Sequence, residues 1–292
     1  MSLFRKKSRS QAERLASWRS EALTGGGRAL DGVGPLLEEL GADASEQRDG
    51  WVVELAGDRL FIAAIDDGTT LSGWAPIEDT HDAGELLALL RRNLEPRLVW
   101  TCRSDAGGTD ELGARFAVPL DGFDRGAVLL VLEAMAGALG DEPIATRARD
   151  LREPPRGEAD EQAANARVTE AVQTALATLG LSPESDSERP GVWRVAAERG
   201  VVELVLRDTG ESLLLMHELE YAGGEADVEA LRWLLLAGDW GSARMGVASL
   251  PGGPGLFSVC AVPAASLEPQ ALAWGMAEVL RLSDEYDRLA AG

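Results

Sequence analysis

Over residues 28–40 the apolar positions Leu36, Leu37 and Leu40 share one helical side, and Gly41 supplies the stop. The period then drops to two. Trp51, Val53 and Leu55 alternate with Val52 and Glu54, residues 60–65 form a nearly continuous apolar run, and 69–75 predict a third strand. Asp66-Asp67-Gly68 supplies a turn between the last two. Helical spacing returns over 82–93, where Asp82 and Glu85 have capping-box separation and Leu86, Leu89 and Leu90 make a stripe. Strands follow at 97–103 and 112–118. Val128, Val131, Leu132, Met135 and Leu139 then mark one face of a helix that Asp121 would cap.

The same order runs again further on. Val168, Ala171, Val172, Ala175, Leu176 and Leu179 make a helical stripe ending at Gly180. Strands are predicted at 191–196, 200–207 and 211–217, a helix at 226–238, strands at 242–249 and 256–262, and a final helix to about Leu289 capped by Ser266. Residues FAVPL at 116–120 and CAVPA at 260–264 close the last strand of each half, and Pro119 and Pro263 end ladder pairing there because proline has no N–H to donate. At an offset of 144, Glu85 meets Glu229, Leu87 meets Leu231, Leu90 meets Leu234 and Ala127 meets Ala271. This is a tandem duplication. A period so long describes two domains and not a solenoid.

The expected fold is therefore α+β: two tandem domains, each helix, three strands, helix, two strands, helix, with a mainly antiparallel sheet. Residues 1–27 form a basic N-terminal arm with an amphipathic helix, 28–139 the first domain, 140–162 a linker rich in charge and proline, and 163–292 the second domain. Pairing of the halves as an intramolecular pseudo-dimer is compatible with this layout.

An antiparallel sheet with one wet face alternates cleanly. These strands do not. Leu60, Ile62 and Ala64 point opposite to Phe61, Ala63 and Ile65, and Leu213 and Leu215 oppose Leu214 and Met216. Helices can cover one face of each sheet. The sister half, a second copy, further helices or an apolar partner segment must cover at least part of the other. Candidate partner contacts are Phe61, Ile65, Leu214 and Met216, together with Trp240, which precedes Gly241 in a loop.

Charge narrows the partners. The chain carries a formal −21, which argues against nucleic acid. Residues 1–28 hold seven basic and two acidic side chains, net +5, so the rest carries −26. Phe4, Arg5, Lys6 and Lys7 give that arm the composition of a contact for an anionic membrane or for an acidic surface, the body of the same chain included. No apolar signal segment follows it. Residues 245–267 lack charge, but Pro251, Gly252, Gly253, Pro254 and Gly255 in their middle predict two strands around a turn instead of a membrane span.

Catalytic signatures are missing from the sequence. Lys6 and Lys7 are the only lysines, so no phosphate-loop or Schiff-base lysine lies in the body. Gly25-Gly26-Gly27 has neither a strand before it nor Lys-Ser/Thr after it. His217-Glu218 lacks the second histidine of a zinc-protease helix, and His81 has no metal-ligand partner spacing. Asp66-Asp67-Gly68 is ordinary hairpin chemistry. Cys102 and Cys260 read as buried small apolar residues of a reducing cytoplasm. No cofactor or metal is expected.

Residues 28–139, from ALDGVGPLLEELG to VLEAMAGAL, and 163–289, from EAVQTALATLG to AEVLRLSDEYDRL, cover most of the chain. Their element order, acidity and Leu-Gly helix end before the first strand resemble the type III secretion chaperone-like group, which includes Tir-chaperone (CesT-like) and YbjN-type domains. The resemblance implies a cytoplasmic, non-enzymatic chaperone or adaptor that holds a protein segment against apolar sheet or groove surface, as a monomeric pseudo-dimer or a homodimer. It supplies no active-site residues. The alternative is an enzyme or small-ligand protein with its site between the two domains.

Overall fold

The computed structural model describes residues 30–290 apart from 31, 49, 66–69, 96, 105–110, 120–123, 153–157, 186–188, 190, 198–199, 207–211, 221–226, 238–241, 251–252 and 265–266. The first half is α1 (Val33–Leu40), β1 (Asp43–Gln47), β2 (Gly50–Leu55), β3 (Asp58–Ile65), β4 (Thr70–Pro76), α2 (Ala83–Arg92), β5 (Val99–Ser104), β6 (Glu111–Pro119) and α3 (Arg125–Leu139). Between the halves lie α4 (Glu142–Arg152) and the start of α5 (Glu158–Thr178). The second half continues with β7 (Pro183–Ser185), β8 (Val192–Ala197), β9 (Gly200–Leu206), β10 (Ser212–Leu219), α6 (Val228–Ala237), β11 (Arg244–Leu250), β12 (Gly253–Pro263) and α7 (Pro269–Ala290).

Each half builds one six-stranded sheet, wholly antiparallel. The strand orders are β1-β2-β3-β4-β6-β5 and β7-β8-β9-β10-β12-β11, which are the same topology. Register repeats as well. Thr70, the first residue of β4, pairs with Pro119, and Ser212, the first residue of β10, pairs with Pro263. The two Ala-Val-Pro segments thus occupy one joint in two domains. The fold is α+β in tandem, as the periodicity implied, and β11 and β12 do pair as two antiparallel strands over the uncharged stretch 245–267.

Three expectations change. Each sheet has a fourth strand before its first crossover helix, because β1 and β7 add a polar edge to the expected three. Asp-Ala-Ser-Glu-Gln lacks apolar alternation because an exposed edge needs none. The stretch 140–162 is largely helical. Pro143 sits in the first turn of α4, where a missing N–H is harmless, while Ile144, Ala145 and Ala148 are buried. Asp141 caps that helix through Oδ1, 3.1 Å from Ile144 N, and Arg147 donates to the Leu40 carbonyl. Finally, α3 is capped by Asp124, whose Oδ1 accepts from Ala127 N, and α7 begins after Glu268. The expected caps Asp121 and Ser266 lie outside the described residues.

Helices of each half cover one face of its own sheet. Leu60, Ile62, Leu71, Phe116 and Val118 are buried there in the first half, and Leu204, Leu213, Leu215, Cys260 and Val262 in the second. Gly73 leaves room for the Phe116 ring to lie across β4. Helices α1, α3 and α5 all end with a glycine at positive φ (Gly41, Gly140, Gly180), followed by a 6→1 bond such as Ala42 N to Leu37 O, a Schellman closure.

Candidate interaction surface and the seam between the halves

The halves pack reciprocally. Helix α2 rests on β11 and on α6, α6 rests on β5, and β6 touches β12. Because β5 and β11, and α2 and α6, are equivalent elements, this is an isologous interface made within one chain. At its centre stand two residues 144 apart. The Arg244 guanidinium lies 5.4 Å from the centroid of the Trp100 ring, a cation–π geometry, and both side chains are buried. Arg244 Nε donates to the Asn93 carbonyl at 2.7 Å, and Nη2 to those of Glu95 and Arg97 at 3.0 and 3.1 Å. These carbonyls follow the end of α2, where helical bonding has stopped and a cation suits the helix dipole. Burial pulls the Arg244 pKa down to about 10, which leaves it charged near neutrality.

Polar stitches surround this centre. Asn93 Nδ2 donates to Thr101 O at 2.9 Å and to Met245 O at 3.1 Å, so one amide ties β5 to β11. Arg232 of α6 is buried and reaches Asp79 with Nη1 at 3.1 Å and Nη2 at 3.3 Å, and donates to the Thr80 carbonyl. Burial pushes the Asp79 carboxyl up, but the hydrogen bond and charge of Arg232 outweigh it and hold the group below its usual range. Gly246 gives the Leu94 side chain its close approach.

The seam covers only part of the second sheet faces. Away from it, β2, β3 and β4 of the first sheet put Val52, Phe61 and Trp74 in one row, since Val52 pairs with Phe61 and Phe61 with Trp74. Phe61 is 48% exposed, the highest of the large apolar side chains among the described residues, and Val52 and Trp74 are half-buried. Trp74 lies over Gly113, where a Cβ would collide with the indole. In the second sheet the corresponding row is Arg194, Glu203 and Met216. There Glu203 accepts from Arg194 at 2.8 Å and from Arg189 at 3.4 Å.

Of the partner contacts expected from sequence, Phe61 stands on this open face and Met216 is half-buried on its counterpart. Leu214 is fully buried and is not surface at all. It stands in the interior of its sheet between Val205 and Ala261, a placement that strand alternation alone cannot reveal. Ile65 ends β3, with its side chain outside the described residues, as are Trp240 and Phe4, Arg5, Lys6 and Lys7. Val52 and Trp74 are the members that sequence reading missed, and the β2-β3-β4 register was the signal that could have joined them to Phe61.

His217 is not at the seam. It lies under α7, with Nδ1 3.0 Å from Ser283 Oγ, and Ser258 Oγ is 2.7 Å from the same oxygen. Ser283 Oγ also lies 2.8 Å from the Val279 carbonyl, to which it donates, and the three side chains are buried. Burial lowers the His217 pKa, opposed by Asp287, Asp284 and Glu218. Burial likewise pushes the Cys260 thiol far up, which removes thiolate reactivity. Among the described residues no cluster of His, Cys, Asp and Glu has a metal-binding arrangement, and no helix is long and apolar enough to cross a membrane.

Compared with models of protein families, with curated proteins and with solved structures, the chain gives no match.

Proposed function

We propose that this protein is a non-enzymatic chaperone-like or adaptor module that binds an apolar protein segment on the open face of its first sheet. The observation that carries the reading is the Val52–Phe61–Trp74 row. It is apolar, with Phe61 exposed and Val52 and Trp74 half-buried, whereas the duplicated row in the sister sheet carries an Arg194–Glu203 pair that Arg189 also joins. Surface drift after duplication converts apolar positions to charge readily, because exposed apolar rows favour aggregation. Retention on one sheet fits use. A fitting partner segment presents two or three aliphatic or aromatic anchors flanked by Lys or Arg, since the chain beyond residue 28 carries −26. The resemblance to secretion-chaperone-like domains points the same way, although each sheet here carries one strand more than the pattern on which it rests.

The reading is tested by placing a photo-crosslinking phenylalanine at position 61 and, separately, at position 203 in cells of the native host. Adducts to a protein partner at 61 and not at 203 are expected. Equal labelling at both sites, or none at 61, overturns it. An adduct to a second copy of this chain makes the face a homodimer contact instead.

A further inference from the structure

The duplication offers an internal control for cavities. Beneath α3, between the end of α2, the edge strand β5 and α4, lies a cavity of about 440 Å³, which is within the range of small-molecule sites. Its α3 wall is Leu130, Glu133, Ala134, Gly137 and Ala138. At the equivalent positions of α7 stand Trp274, Ala277, Glu278, Arg281 and Leu282, larger at all but one. Trp274 is fully buried. Glu278 Oε2 accepts from Ser242 N at 3.0 Å, at the counterpart of Leu98 in the cavity wall, and Arg281 is held by Glu278 and Glu285. The second domain plugs the place that the first leaves open.

Trp100 belongs to the cavity wall, and three arginines line it. Arg149 is committed to Glu133 at 2.7 Å and Arg97 to Glu95 at 2.5 Å, while Arg92 has no ion pair among the described residues. Glu133 is in turn 3.0 Å from Arg152. Leu98, Val99, Leu130 and Ala145 complete an apolar interior.

We infer that this cavity binds a small monoanionic organic ligand, a carboxylate with a compact apolar body. The body lies against Leu130 and Ala134, and the carboxylate meets Arg92. This inference does not depend on the open sheet face, which lies on β2, β3 and β4.

Titration calorimetry of the full chain with hexanoate, 2-naphthoate and indole-3-acetate tests it, with 2-naphthamide as the neutral control. At least one carboxylate should bind saturably, one per chain. Leu130→Trp, which imports the plug of the second domain, should weaken it by about tenfold or more, and Arg92→Ala by about fivefold for the carboxylate but not for the amide. If Leu130→Trp does not fold, Ala134→Met provides a smaller plug with the same expected loss. No saturable binding by any carboxylate overturns the inference. So does binding that survives the plug, or binding lost in Phe61→Glu, which would move the ligand to the open face.

Discussion

Val52, Phe61 and Trp74 on one sheet, and Arg194, Glu203 and Met216 on the other, stand at the same strand positions of the same topology. Backbone, register and neighbouring elements are shared, so the difference is side-chain chemistry alone. A similar contrast exists inside the domains. His217, Ser258 and Ser283 form a polar cluster where the first half has Ala75, Ala114 and Leu139. The fold tolerates either chemistry at both places. Which copy keeps an apolar open face and which carries ion pairs is then not dictated by the fold.

The comparison can be broken most forcefully at the seam. Trp100→Ala removes a large buried ring from beneath Arg244 and should cost about 3–5 kcal/mol. Arg244→Met, which strips three carbonyls of their donor while relieving a buried charge, should cost less, about 2–4 kcal/mol. Urea unfolding measures both. Losses below about 1 kcal/mol for Trp100→Ala would mean that the halves do not depend on each other. Next in size is the exchange of the open rows. Val52→Arg with Phe61→Glu should abolish partner crosslinking from neighbouring positions such as Ala63, yet shift stability by only about 1 kcal/mol or less. A drop as large as that at the seam would make the row structural.

The polar cluster sharpens the contrast through pH. The His217 pKa is lowered in the folded protein, so the unfolded chain binds that proton more readily. Its contribution is whole above the ordinary histidine value of 6.5 and is lost as pH falls from there through the lowered folded value. The urea midpoint should therefore fall between pH 7.5 and pH 5, by about 1 kcal/mol or less in free energy, with a flatter slope in His217→Gln. An unchanged slope would acquit His217. The smallest effect belongs to the β2-β3 turn, where Ala56 holds φ at +52° beside Gly57. Ala56→Gly should stabilise by about 0.5–1 kcal/mol in thermal unfolding, because glycine enters the left-handed region without a Cβ clash.

Periodicity made most of the fold legible. The stripes over 82–93 and 128–139 and the run at 60–65 announce elements that each bury an apolar face, through Leu86 and Leu90, Val128, Leu132 and Met135, and Leu60 and Ile62. What escaped were elements held by other means. Strand β1 is a polar edge secured by its ladder, and α4 is short, charged and proline-bearing, with only Ile144, Ala145 and Ala148 to show its buried side. At the candidate site Phe61 was legible as an apolar residue on the second sheet face. Leu214 read identically, and only the tertiary packing separates an open residue from a covered one. The cavity was hidden for a different reason: Ala134 and Gly137 are unremarkable in a helix until set beside Glu278 and Arg281 in its copy.

The stacking of Arg244 on Trp100 also constrains who pairs with whom. Two first halves brought together by the same operation would set indole against indole and leave the carbonyls after α2 without a donor. Two second halves would bury guanidinium against guanidinium, a like-charge encounter that costs several kcal/mol. Only the mixed pair sets a guanidinium on an indole and gives those carbonyls a donor. Substitutions at the seam, Arg244 opposite Trp100 chief among them, have turned a symmetric handshake into a lock and key, so the two halves now recognise one another as different molecules would.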